Sequence, residues 1–288
     1  MFTLPIFYQV LVNGLTLSSI YVLIALGFTL LFGIMKVVNF AHGAFAMLGG
    51  YALLYAFDKF KLPFVVAIVL APLAVALAAL VLERLVFRHF YQRMLQSMIG
   101  LLGLDLAIVY TAVLIWDSHE RSIAPALEGV IKYEMLMVPA NRLMIVVVAA
   151  VTLAVFWWFM AKTKHGLSMR AASQDLEIAQ TQGVNVRTIY VLAFFIAIFM
   201  SALAGALWAQ TYVLSPFMGS RPVMVSFIVV ILGGMGSIPG AALGGLLLGF
   251  GESILSTFWG AAVSQFVSFG VVITLLVFRP WGLLGKPE

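Results

Sequence analysis

Long apolar runs separated by short polar breaks dominate the chain. The runs Phe7 to Met35, Pro63 to Leu82, Met98 to Trp116, Arg142 to Ala161, Tyr190 to Val213, Ala241 to Phe258 and Ser264 to Phe278 read as spanning helices, since about 20 apolar residues cross a bilayer. Two further runs, Gly43 to Phe57 and Val223 to Gly234, are short and bordered by Gly, Pro, Asn or His. They read as short, tilted or broken crossings, because irregular backbone at membrane depth is tolerated only inside protein or along a wet cavity. The pattern predicts an all-α polytopic membrane protein with about nine helices (eight to ten), with short or broken segments near 43–57 and 223–239.

Composition sharpens this. Hydrophobic residues make up 64% of the 288 and charged residues 9%, against roughly 45–50% and 25% in soluble domains. Disordered chains, disulfide scaffolds and free-standing nucleic-acid binders are excluded; there is no cysteine. A net charge of +5 reads as orientation signal and lipid head-group contact. If the loops at Lys36, 83–96 and 162–188 and the tail after Phe278 are cytoplasmic, they hold 10 of the 16 Lys and Arg, which places the amino terminus outside and the carboxyl terminus inside. No cation precedes Lys36, so the first apolar run is expected to stay in the mature protein. One membrane domain is expected over 1–288, with a cytoplasmic insert at 162–188. The external loop at 117–141 is acidic through Asp117, Glu120, Glu128 and Glu134.

Driving chemistry is missing. No phosphate-binding G-x-x-x-x-G-K-[ST] occurs, and His42, His89, His119 and His165 lie in no metal-ligand spacing. Neither a metal nor another cofactor is expected on this chain.

The polar insert carries a helical pattern instead. Ala172, Leu176, Ala179 and Gly183 fall at steps of four, three and four, one face of a helix. Ser173 is expected to cap it, Asp175 to lie in its first turn and Gly183 to stop it. A face of small residues suits a groove on another protein; an ordinary connecting helix on the membrane is the alternative. Between Gly233 and Gly251 there are eight glycines, including Gly236-xxx-Gly240-xxx-Gly244, with Pro239 expected to break the ladder. Close packing and a hinge or pathway role both fit Gly236, Pro239, Gly240 and Gly244. Isolated acids at membrane depth, Asp105 and Glu252, must point into protein. They serve either structural hydrogen bonding or ion coupling.

Several blocks together resemble a known family. Asn13-Gly-Leu-Thr-Leu-Ser-Ser-Ile-Tyr is followed by Val38-Asn39-Phe-Ala-His-Gly43. Next come Met169-Arg-Ala-Ala with Asp175, Ala179 and Gly183-Val-Asn185, then Leu232-Gly-Gly-Met-Gly-Ser-Ile-Pro-Gly240 and Arg279-Pro-Trp-Gly-Leu-Leu-Gly-Lys286. In order and spacing they resemble the LivH-type permeases of ATP-driven branched-chain amino-acid importers, from about residue 8 to the end. The resemblance implies a bacterial inner-membrane subunit that is not itself an enzyme. Its implied partners are a LivM-like second permease, two cytoplasmic ATPases that handle ATP and Mg, and an external solute-binding protein. It implies ATPase coupling through Arg170, Ala171, Asp175, Ala179 and Gly183. Asn13, Thr16, Asn39, His42 and Glu252 are the candidates for lining a translocation path. Related permeases carry urea, short amides or other small polar solutes. An ion-coupled carrier using Asp105 and Glu252 is the alternative from another class.

Overall fold

A chain this poor in charge must satisfy its backbone hydrogen bonds internally, and helices do so. The computed structural model describes residues 4–133, 136–279 and 281–285. Glu134 of the acidic loop, and Pro280 and Lys286 of the terminal motif, lie outside the described residues. The elements in order are α1 (Leu4–Met35), α2 (His42–Leu53) continued by a π-helical turn (Leu54–Lys59), α3 (Phe64–Leu85), α4 (Met94–Trp116), β1 (Val130–Tyr133), β2 (Leu136–Pro139), α5 (Ala140–Lys162), α6 (Lys164–Gln174), α7 (Leu176–Thr181), α8 (Val186–Ala209), α9 (Ser220–Gly233) and α10 (Ile238–Phe278), besides a 3₁₀ turn (Phe87–His89). The fold is all-α and polytopic; β1 and β2 form one antiparallel hairpin in the loop before α5.

Among the described residues, six helices are long and apolar enough to cross a membrane: α1, α3, α4, α5, α8 and α10. The last spans 41 residues but is not one rod, because Gly260 has φ 85 and ψ 163. Ser264 donates its hydroxyl to the Glu252 carbonyl at 3.2 Å, whereas a straight helix would hold residues twelve apart at about 18 Å. The chain therefore doubles back at Gly260 into two antiparallel arms, matching the two separate runs in the sequence. With α2 and α9 as the short segments, every apolar run of the sequence is helical.

The short segment after α1 has a specific cause. The His42 Nε2, at the start of α2, meets the Ile24 carbonyl at 3.0 Å, a residue about 16 Å back along α1 from Met35 at 1.5 Å per residue. Residues 36–41 therefore run back into the protein without helical structure. Tolerance of such backbone follows from burial: Val37, Val38, Asn39 and Ala41 are buried.

Around this the helices approach through small residues. α1 sits at the centre, packed on α5, α8, α9 and the first arm of α10, and α2 packs on α8. A β-carbon on Gly49 would collide with the backbone of Ala202, one on Gly43 with Gly219, and one on Gly240 with Gly233. Such spacing is what lipid-embedded helices need, since van der Waals contact replaces the hydrophobic drive between them. Pro239 corrects an expectation. It stands in the first turn of α10, where its missing N–H breaks no ladder, and Ser237 caps that turn by accepting from the Gly240 N–H at 3.1 Å. Gly236 is likewise in the turn before α10, at φ 82, and not on a helix face with Gly240 and Gly244.

Candidate functional site

Two groups of polar residues meet α1, one at the Ile24 carbonyl and one at Tyr21. In the first, Asn39 and His42 are fully buried. His42 packs edge-on against Phe28 with ring centroids 5.6 Å apart, and its carbonyl accepts the Ser201 hydroxyl at 2.7 Å. The Asn39 amide and His42 Nδ1 have no hydrogen-bond partner among the described residues. Thr16 donates to the Val12 carbonyl of its own helix at 2.8 Å, which satisfies it without any path. Asn13 is half-buried, and its Oδ1 has no partner among the described residues.

The second group centres on Glu252. Its carboxylate accepts from the Tyr21 hydroxyl at 2.5 Å and forms an ion pair with Arg221 at the start of α9. The Arg221 guanidinium lies 5.3 Å from the centre of the Trp208 ring, which stacks on Tyr212 at 4.3 Å. Four helices thus converge on one acid. Sequence reading found Glu252 and missed Tyr21, Trp208 and Arg221, the last counted as a loop cation. The available signal was Arg221 bordering a short apolar run beside Pro222. Asp105 is not brought to this cluster: it is half-buried on α4, against the backbone N–H of Ala44.

The polar insert at 162–188 forms two helices, α6 and α7, where the periodicity predicts one. Asp175 leaves the helical region at φ −152 and ψ 113, and its Oδ1 accepts from the Ile178 N–H at 2.9 Å, capping α7. Ser173 is no cap; it donates to the Arg170 carbonyl at 2.8 Å, and Thr163 caps α6. Gly183 ends α7 at φ 83 as expected, a left-handed position that suits glycine. The small-residue face is turned inward at its two alanines. Ala172 is 4% exposed and Ala179 3%, both in the chain's own apolar core, so these two side chains lie against this chain, while Leu176 is half-buried and Gly183 exposed. Arg170, Gln174, Asp175, Glu177 and Ile178 face outward, and Ala171 is half-buried. The cause is simple: a face of small side chains also allows a helix to lie close on its own membrane helices, here α1, α5 and α8 for α6.

A cleft of 980 Å³ joins this segment to the membrane body, running between α1, α5, α6 and the start of α10. Lys36, Arg170 and Gln174 line it together with apolar Val22, Phe156 and Ile238. On the far side of the molecule the acidic loop is tied down. The Arg121 N–H donates to the Leu214 carbonyl at 2.8 Å, and the Asn141 amide donates to the Gln210 carbonyl at 2.9 Å. There the Ser118 backbone N–H and then His119 hold the Asp117 carboxyl below its ordinary pKa. Among the described residues no group of three His, Asp or Glu could hold a metal ion.

Comparison with known proteins adds an independent finding. The family model described as "Branched-chain amino acid transport system / permease component" matches residues 10–276. The chain is similar to the high-affinity branched-chain amino acid transport system permease protein BraD of Pseudomonas aeruginosa, at 32% identity covering 98% of this chain and 97% of the relative. It is similar to LivH of Escherichia coli K12 at 30% identity, over 98% of this chain and 96% of that one. Similarity to the autoinducer 2 import system permease protein LsrC of Photorhabdus laumondii, at 30% identity, covers only 40% of the chain and 38% of the relative. No solved structure matches.

Proposed function

The chain belongs to the branched-chain amino acid transport permease family, and from that premise we propose that it is the membrane subunit of an ATP-driven, binding-protein-dependent importer carrying leucine, isoleucine and valine. It is a multi-pass membrane transport subunit and not an enzyme. In this reading it lies in the bacterial inner membrane as one permease domain over 1–288, paired with a LivM-like permease. Two cytoplasmic ATPases bind ATP and Mg, and an external binding protein delivers solute near the 117–141 loop. The observation that carries the substrate class is the extent of likeness, nearly end to end for branched-chain permeases and less than half the chain for an importer of another solute.

The fold supplies a route for coupling. Residues 162–188 face the ATPases, and contact is made by the outward side of α6 and α7, through Arg170, Asp175, Glu177 and Ile178. Ala171 lies half-buried between that side and the core, Ala179 anchors α7 on this chain, and Gly183 fixes its end. Arg170 also borders the large cleft, so a push on α6 acts directly on the cleft walls. Glycine-mediated contacts at Gly240 and Gly244 let the α9 and α10 arms slide as packed bodies, while Asn13, Asn39, His42 and Glu252 are the polar groups along a path. The experiment is purification from native membranes through a tag on this chain: the ATPase and a second permease co-purify if the reading holds, and their absence overturns it.

A further inference from the structure

The Arg221–Glu252 pair borders a half-open cavity of 170 Å³ between α9 and the two arms of α10. At about 30 Å³ per water-sized group it holds about six such groups, the scale of a small solute. Its polar side is the ion pair with Gln265 and Ser268; its apolar side is Ile228, Leu248 and Phe269. One cation, one anion and an aliphatic wall in a space of this size match a small zwitterion with an apolar side chain.

The pair is also built to open without losing its parts. Glu252 is also held by the Tyr21 hydroxyl, and Arg221 by the face of Trp208. Access is one-sided, since the Arg221 side chain is 42% exposed and that of Glu252 9%. We propose that Arg221 and Glu252 are a zwitterion-recognition site. The solute carboxylate takes the Arg221 guanidinium, its ammonium takes the Glu252 carboxylate, and its aliphatic side chain lies against Ile228, Leu248 and Phe269. The exchange keeps every charge paired, which is the condition for partly buried ions. A solute lacking either charge leaves one side chain unpaired and is rejected. In the empty state the two side chains satisfy each other. This assignment rests on the amino-acid import reading and names where the membrane subunit itself reads its solute.

The test is equilibrium binding of radiolabelled leucine to the purified permease–ATPase complex without binding protein, normalised to assembled complex, beside leucine uptake by the same complex with binding protein present. Saturable binding by the wild type, weakened at least tenfold in Arg221→Gln and in Glu252→Gln, is expected. Competition by valine is expected, with none by leucinamide or 4-methylpentanoate, which each lack one charge. The double variant Arg221→Glu with Glu252→Arg restores an ion pair but presents the charges in reverse to the aliphatic wall, and is expected to assemble without binding leucine. Leucine uptake by a wild-type complex that binds none, unchanged affinity in either single variant, or recovery of binding in the swapped pair overturns the site and leaves the importer reading standing. A wild-type complex that imports no branched-chain amino acid overturns that reading and the site with it.

Discussion

Gly205 of α8 lies directly on the backbone of Ala46 of α2, so close that a β-carbon there would overlap the Ala46 carbonyl. This contact holds α2 against the helix that also carries Ser201 and Trp208. Gly205→Val is expected to prevent folding, at or above the about 1–3 kcal/mol that overpacking costs, because rigid backbone opposes it. Gly103→Val, with nothing within 4 Å of an added β-carbon, is expected to be tolerated. Size-exclusion profiles of the two variants expressed side by side check this; equal profiles would show the α2–α8 contact to be dispensable.

The turn between α9 and α10 depends on a second backbone contact. A side chain on Gly240 would meet the Gly233 backbone, and one on Gly244 would come within 2.8 Å of the Val229 carbonyl. Gly240→Leu is expected to abolish assembled complex and Gly244→Leu to reduce it severely. Blue-native electrophoresis of membranes reads both, and wild-type levels of complex in either would contradict this packing.

The two sides of α7 predict opposite phenotypes. Ile178 is 61% exposed and Ala179 is buried. Ile178→Asp is expected to leave an intact permease with at least tenfold less bound ATPase. Ala179→Trp is expected to lower the amount of folded permease itself, by displacing α7 from its own chain. Quantifying permease and ATPase in the same pull-down separates the outcomes. Full ATPase retention by Ile178→Asp would remove the outward face from the contact.

How much of this the sequence carries depends on what each feature answers to. Apolar runs answer to lipid, which every residue of a span meets locally, so the helices and the division near Gly260 were legible, down to the short segments at 42–59 and 220–233. Partners far apart in the chain were not. Glu252 could be flagged as a buried acid, but its cation stands 31 residues away at a helix start, where it reads as a loop charge. Periodicity grouped Ala172 and Ala179, which are both buried, with Gly183, which is exposed, and could not say whether the neighbour was this chain or another. The break at Asp175 was hidden because an acid suits both the first turn and the cap of a helix.

That cap gives a milder prediction. Asp175→Ala removes the acceptor for the Ile178 N–H and is expected to cost about 1 kcal/mol of local helix stability. Asp175→Asn retains the acceptor and is expected to behave as wild type. Faster amide exchange over residues 176–181 in the alanine variant only, measured by hydrogen–deuterium exchange, checks it; identical exchange in all three would mean α7 is held by Ala179 alone.

The energy source of transport decides the central claim. In proteoliposomes containing the tagged chain with its co-purified partners and binding protein, leucine uptake is expected only with ATP and Mg on the ATPase side. It is expected to persist when ionophores collapse every ion gradient. Uptake by the purified chain alone, driven by a proton or sodium gradient and indifferent to ATP, would contradict the account.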